Sequence, residues 1–131
     1  MDRIWNLGLK VGDLKAELEF LAACGATGIE RGVIDTPEGS HPFGLALLGK
    51  ERLLLFNEVV YADALPEPMK MGLAHAVYQV DDVARVLAQF GANGTAPMWG
   101  PVDLATPFGR RRVVFFRSPS GFVFETFQHL G

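Results

Sequence analysis

The chain has 131 residues, of which 49% are hydrophobic, and its formal net charge is −3. This length suits one domain with a sizeable core and is too short for two independent domains. Acidic and basic residues are mixed along the chain, which argues against nucleic acid as a partner. We expect no membrane span or signal peptide, because no apolar run is long enough. The single cysteine, Cys24, excludes an internal disulfide and favours a reducing, cytoplasmic location, and we expect it to be buried.

The first half of the chain predicts a strand, a helix and three further strands. Apolar and polar residues alternate, then recur at helical spacing, and then alternate again. The predicted elements are a strand at 4–11, a helix capped by Asp13 and ended by Gly25, a strand at 27–35, and a hairpin of 43–48 with 52–57. Pro66 and Pro68 break the pattern, so we predict a first module over residues 1–60 and a linker over 61–71.

The second half, residues 72–131, repeats this order and is predicted to be a second module. Its predicted elements are a strand at 73–80, a helix from Asp82 to Gly91, a short strand at 95–99, a loop at 101–107, and a hairpin of 111–117 with 122–128. Matching signals recur at similar offsets: Gly-Ala-Thr-Gly (25–28) with Gly-Ala-Asn-Gly (91–94), and Pro-Phe-Gly (42–44) with Pro-Phe-Gly (107–109). Such ordered matches indicate an internal duplication.

The duplication predicts an α+β fold in one domain spanning residues 1–131. Two βαβββ modules would pair their curved mixed sheets around a central cleft, with the helices on the outside. Strand alternation then places a set of polar side chains on the cleft face. These are Asn6, Lys10, His75, Gln79 and Glu125. The arginine run 110–112 should point to both faces of its strand, so we interpret it as a charged rim rather than a phosphate site.

Three stretches carry a family resemblance: Leu-Gly-Leu-Lys-Val-Gly-Asp-Leu (7–14), His-Ala-Val-Tyr-Gln-Val-Asp-Asp-Val (75–83) and Ser-Pro-Ser-Gly-Phe-Val-Phe-Glu (118–125). With the duplicated pattern, the chain resembles the vicinal-oxygen-chelate superfamily. That group includes glyoxalase, methylmalonyl-CoA epimerase, extradiol dioxygenases, and the fosfomycin- and bleomycin-resistance proteins. The fold hosts several chemistries, so the resemblance alone assigns none of them.

The resemblance implies metal ligands in the first and last strands of each module. His75 falls on the second-module histidine, and Glu125 falls on the second-module carboxylate. The first module departs from this pattern, because Asn6 replaces the usual histidine. Leu54 is the best match to the missing carboxylate, with Phe56 or Asn57 as alternatives. Imidazole and carboxylate suit zinc, iron, nickel or manganese, but a catalytic site usually has three protein ligands.

The sequence therefore leaves open whether the chain is an enzyme. One hypothesis is a glyoxalase-like or bleomycin-resistance-like protein that binds a small, partly aromatic or oxygenated molecule beside a degenerate metal site. The alternative is a metal-dependent lyase, isomerase or dioxygenase in which His75 and Glu125 hold the metal and Glu125 takes part in catalysis. A third interpretation is a metal-free hydrogen bond between His75 and Glu125, which would favour the imidazolium.

The remaining expectations concern the ligand and the partner. Lys10 and Gln79 face the cleft by alternation and are candidates to bind a carboxylate or phenol, and Asn6 is a further ligand-binding candidate. Trp99 would stack on a planar ligand, or else belong to the core or to a dimer interface. We expect a homodimer, as is common in this superfamily. The sequence does not decide whether the cleft lies within one chain or between two.

Overall fold

The computed structural model describes residues 3–131, which form one eight-stranded mixed sheet with two α-helices packed on it. The strands are β1 Ile4–Lys10, β2 Thr27–Thr36, β3 Gly39–Leu48, β4 Glu51–Phe56, β5 Gly72–Gln79, β6 Trp99–Thr106, β7 Gly109–Arg117 and β8 Val123–His129. The helices are α1 Leu14–Ala23 and α2 Val83–Ala92. Residues 1 and 2, with which the predicted first module begins, lie outside the described residues.

The strand order, β2-β3-β4-β1-β5-β8-β7-β6, shows two similar halves joined at the centre. In the first half β1 runs parallel to β4, and in the second half β5 runs parallel to β8. The halves join through the antiparallel pair of β1 and β5. The end strands β2 and β6 also contact each other, so the sheet curls around its inner face. This confirms the predicted α+β fold of paired βαβββ modules.

Both helices begin at the predicted aspartates. The Asp13 carboxylate accepts a hydrogen bond from the Ala16 N–H, and the Asp82 carboxylate accepts from the Ala84 and Arg85 N–H groups. Each such cap stabilises a helix by about 1 kcal/mol. The helices bury apolar side chains on the outer face of the sheet, as Val83 and Val86 do against Val114 and Phe116. The inner face is therefore left free to line a cavity.

The sixth strand corrects the sequence analysis. Residues 95–99 were predicted as a strand and 101–107 as a loop, but the strand is β6, Trp99–Thr106. It lies at the end of the sheet, where a proline that lacks an N–H donor is tolerated, so Pro101 does not prevent it from forming.

Two further expectations were wrong. Cys24 is exposed, because it lies at the C-terminal cap of α1 rather than on its buried face. Helix α2 continues past Gly91 to Ala92, since a glycine weakens a helix without having to end it. Within residues 3–131, no helix is both long and apolar enough to cross a membrane.

Candidate functional site

A cavity of about 50 Å³ lies inside the curled sheet, between the inner faces of the two halves. A volume of this size holds roughly four water molecules, so it suits a small ligand. Most of the lining is apolar or aromatic, and the polar lining residues are Asn6, His75, Thr106, Arg111 and Glu125. Side chains from both halves of one chain build this wall, so the cavity does not need a second subunit.

The strand registers identify equivalent positions in the two halves. Gly8 pairs with Leu54 in the first half, and Val77 pairs with Glu125 in the second. Gly8 lies two residues after Asn6, and Val77 lies two residues after His75, the residue matched to Asn6 in the sequence analysis. The register thus agrees with the match of Leu54 to the carboxylate position, and Leu54 lines the cavity.

His75 is buried beside the cavity and bound to a tyrosine. The residue is 6% exposed, and its Nδ1 lies 2.9 Å from the Tyr61 hydroxyl. Its ring lies over Gly8 so closely that a Cβ at that position would overlap it. Burial lowers the pKa of His75 to about 4, so the imidazole is neutral at pH 7. The interpretation in which His75 is an imidazolium bonded to Glu125 is therefore wrong, since the hydrogen-bond partner in the structure is Tyr61.

Tyr61 belongs to the segment that joins the two halves, which the sequence analysis treated only as a linker. Tyr61 and Val59 are fully buried, and Val60 lines the cavity. Burial raises the pKa of Tyr61 above its ordinary value, so its hydroxyl stays protonated at neutral pH. The apolar run that follows β4 was the sequence signal for this packing.

Glu125 lies on β8 and faces the same cavity. The residue as a whole is partly buried, and its carboxyl group is enclosed by protein. Burial raises the pKa of Glu125 to about 8, and the Arg111 charge opposes this shift in part. Below that pH the carboxyl is mostly protonated, so it can donate a hydrogen bond to a ligand as well as accept one.

Arg111 is a cavity residue that the sequence analysis assigned to a charged rim, and that interpretation was wrong for this residue. It is 6% exposed, and its guanidinium carbon lies 4.3 Å from the Trp5 ring centroid and 4.1 Å from the Phe127 ring centroid. Burial lowers its pKa to about 10, so it remains charged at neutral pH. Alternation along β7 places it on the same face as Val113 and Phe115, and that signal separates it from Arg110 and Arg112.

Three predicted ligand-binding residues lie away from this lining. The Lys10 Nζ donates to the Met69 carbonyl at 2.9 Å and forms an ion pair with Glu58. Gln79 lines a separate surface pocket beside Arg3 and Arg52. Trp99 packs edge-on against Phe115 at a centroid distance of 5.7 Å. Of the predicted site residues, the structure brings together Asn6, His75 and Glu125.

No family model and no curated protein matches this sequence. Solved structures do match it. Methylmalonyl-CoA epimerase from Mycobacterium tuberculosis superposes with a TM-score of 0.73 at 14% identity, covering 98% of this chain and 88% of that one. A Streptomyces coelicolor epimerase variant in complex with 2-nitronate-propionyl-CoA gives 0.67 at 20% identity, covering 98% and 95%. The chain has the vicinal-oxygen-chelate fold.

Other members of this fold differ in size and chemistry. A mutant of 4-hydroxymandelate synthase from Streptomyces coelicolor gives a TM-score of 0.66 at 17% identity, covering 98% of this chain but 48% of that one. Likeness at such low identity shows the fold alone, and the function has to be argued from the site.

The vicinal-oxygen-chelate fold implies a metal centre, and the donor set can be tested against it. No group of three or more His, Cys, Asp or Glu side chains in the range 3–131 is placed to hold a metal ion. His75 and Glu125 supply two donors, Asn6 adds a weak amide oxygen, and Leu54 supplies none. These residues therefore do not fit a divalent centre with three strong protein ligands.

Proposed function

We propose that this chain binds a small, partly apolar organic molecule in the cavity between its two halves, without a complete metal centre. The observation that carries the proposal is the cavity wall itself. The four positions that would hold a metal in this fold converge on it, yet one is Leu54 and another is Asn6. Two of the four positions thus contribute to an apolar or neutral surface.

The lining has the composition of a binding pocket. Apolar side chains such as Leu54, Val77 and Phe115 dominate it, and a few polar groups interrupt them. Apolar surface supplies affinity by burial, and isolated polar groups fix the orientation of a ligand. The His75 Nδ1 is already bonded to Tyr61, so the imidazole behaves as part of a fixed wall.

The test is a titration of chelator-treated, isotope-labelled protein with a panel of small aliphatic and aromatic acids, amides and alcohols, followed by NMR. We expect at least one compound to shift the resonances of cavity residues, with the same affinity before and after chelation. V60F fills the cavity from the connecting segment and should weaken binding at least tenfold, the effect of losing about 1.4 kcal/mol. V33F adds the same ring at an exposed site and serves as the matched control.

Failure of every compound to bind the wild-type protein would overturn the proposal. Equal binding by V60F and V33F would also overturn it, because the bound molecules would then lie outside the cavity.

The second candidate function is a metal-dependent lyase, isomerase or dioxygenase of the glyoxalase type. It is favoured by one observation, namely that His75 and Glu125 line the same cavity. It requires close to one equivalent of zinc, iron, nickel or manganese in protein purified without a tag, and loss of that metal in H75A. Metal present in neither protein after reconstitution would exclude it.

The predicted homodimer and cytoplasmic location remain proposals. Several large apolar side chains are exposed, among them Met71 (72%), Leu73 (69%) and Phe20 (62%). Sedimentation at micromolar concentration should give twice the 14.3 kDa chain mass if the dimer forms.

A further inference from the structure

We propose that Arg111 is the anchor of the cavity for a ligand carboxylate, so that the ligand is a small carboxylic acid with an apolar remainder. The inference rests on the proposed binding function and deepens it by naming the chemical class of the ligand. It also assigns a role to a residue that the metal positions of the fold do not include.

The first argument is a buried charge without a partner. Arg111 is 6% exposed, and among residues 3–131 its Nε and Nη2 have no hydrogen-bond partner. Burying a charged group without compensation costs several kcal/mol, and buried guanidinium groups are normally paired. A carboxylate that enters the cavity would supply the missing negative charge and accept hydrogen bonds from the guanidinium N–H groups.

Glu125 is the internal group best placed to neutralise Arg111, since the two interact electrostatically. The ion pairs within 4.0 Å in the described part of the chain, however, are those of Lys10, Lys15 and Arg112. Arg111 and Glu125 therefore line the same cavity without forming an ion pair with each other. A small anion in this cavity would accept hydrogen bonds from the Arg111 guanidinium.

The second argument is that the guanidinium is held in place before any ligand arrives. It packs against the rings of Trp5 and Phe127, which contact each other edge to face, and the Phe108 ring centroid lies 5.2 Å from it. Cation–π contacts of this kind offset part of the cost of burial. A rigid guanidinium loses little entropy when it binds, and its planar donors match a carboxylate bidentately.

Trp5 is itself held by a second arginine, Arg52. Arg52 lies over the ring at 3.7 Å, and its Nε donates to the Trp5 carbonyl at 3.0 Å. The register of β1 against β5 shifts between Ile4 and Asn6, which is a bulge at Trp5. A bulge re-aims the side chain that it carries, and here it coincides with the packing of Trp5 against Phe127.

The rest of the lining determines the size and polarity of the part of the ligand that lies away from Arg111. Leu54, Val113 and Phe115 supply an apolar wall, and the cavity volume of about 50 Å³ limits its size. A short aliphatic acid fits these constraints better than a polyanion, for which the lining offers one buried cation.

The experiment compares acids with amides of the same shape. Propionate, isobutyrate and benzoate, each paired with its amide, are titrated at pH 7 into the wild type, R111M, R111K and R110M, and followed by NMR. R111M keeps the apolar stem and removes the charge. R110M removes the same charge from a neighbouring exposed residue and is the matched control.

We expect the wild type and R110M to bind at least one acid about tenfold or more tightly than its amide, as suits a charge-assisted hydrogen bond. R111M should lose this preference while amide binding stays unchanged, and R111K should keep only part of it because a lysine ammonium cannot bind bidentately. If R111M does not fold, the partial loss in R111K decides the question.

Equal affinity of the wild type for acids and amides would overturn the anchor while leaving the binding function in place. An equal loss in R110M and R111M would also overturn it, since the effect would then come from the general field. If no acid or amide binds at all, the anchor fails, and the proposed function fails with it when the alcohols of the wider panel do not bind either.

Discussion

The two halves of the cavity wall share a backbone geometry and differ in chemistry. At equivalent positions the first half presents Asn6 and Leu54, and the second half presents His75 and Glu125. The first pair has no ionisable group, whereas burial shifts both groups of the second pair, lowering the pKa of His75 and raising that of Glu125. A duplicated fold thus keeps its strand registers while its site residues diverge.

The halves are also coupled at one further pair of positions. Gly8 in the first half leaves the space that the His75 ring occupies, while the equivalent position in the second half is Val77. The difference between the halves therefore extends beyond the lost ligands, because the first half is shaped around a side chain of the second.

The largest expected effect comes from giving the first half the same histidine and carboxylate that the second half has at equivalent positions. The double variant N6H/L54E places four metal donors on the cavity wall. Saturating zinc should stabilise this variant by about 4 kcal/mol at a thousandfold excess over the dissociation constant. Thermal unfolding with and without zinc measures the effect. The single variants serve as controls with smaller shifts, and an equal zinc shift in the wild type would contradict the account.

The next effect tests the coupling between the halves. G8V should lower the free energy of unfolding by about 3 kcal/mol, because the new side chain overlaps the His75 ring. Denaturant unfolding measures this loss. G12A is the matched control, since a Cβ there meets only Met71 at an ordinary distance of 3.5 Å. A double-mutant cycle with H75A should recover part of the loss, and additive effects would refute the proposed overlap.

The sequence predicts most of the fold because its signals are local. The caps at Asp13 and Asp82 and the alternation in β1 and β5 define elements without reference to the rest of the chain. Strand β6 escaped prediction because tolerance of Pro101 depends on its place at the sheet edge, which only the tertiary structure shows.

The site was predicted in part. Alternation and the family resemblance placed Asn6, His75 and Glu125 on one face. The apolar run at Tyr61 and the alternation at Arg111 indicate that these side chains are buried, but they do not identify the partners, His75 and Phe127, which come from other segments. The bulge at Trp5 could not be predicted from the local pattern either. Strict alternation would place the Trp5 side chain with Leu7 on the outer face of the sheet, away from Phe127.

A smaller effect concerns pH and separates the two ionisable residues. The folded-state pKa of Glu125 is raised from 4.5 to about 8, so its contribution to stability is present below about pH 4.5 and is lost as the pH rises through about 8. The pKa of His75 is lowered from 6.5 to about 4, so its contribution is present above about pH 6.5 and is lost as the pH falls through about 4.

Urea unfolding across pH 4–9 measures both contributions. E125Q should flatten the decline on the alkaline side, and H75Q should flatten the decline on the acidic side. Arg111 and Tyr61, the other titratable groups at this wall, are expected to keep their charge states over this range. Unchanged profiles in both variants would show that the two residues are not buried as described.

The smallest expected effect comes from removing the hydrogen bond between Tyr61 and His75. Y61F should lower the free energy of unfolding by about 1 kcal/mol, because it leaves the buried Nδ1 without a partner. Y78F, at a partly buried tyrosine on β5, provides the comparison and should change stability less. Equal losses in the two variants, measured by chemical denaturation, would argue against a specific role for the Tyr61 hydroxyl.

The most direct test of the central claim is to titrate propionate and isobutyrate into the wild-type protein after chelation, and again after incubation with zinc, iron, nickel or manganese. If the cavity binds its ligand without a metal centre, NMR should give the same dissociation constant in every sample. Binding that disappears on chelation and returns with one equivalent of metal would contradict the account and favour the enzyme.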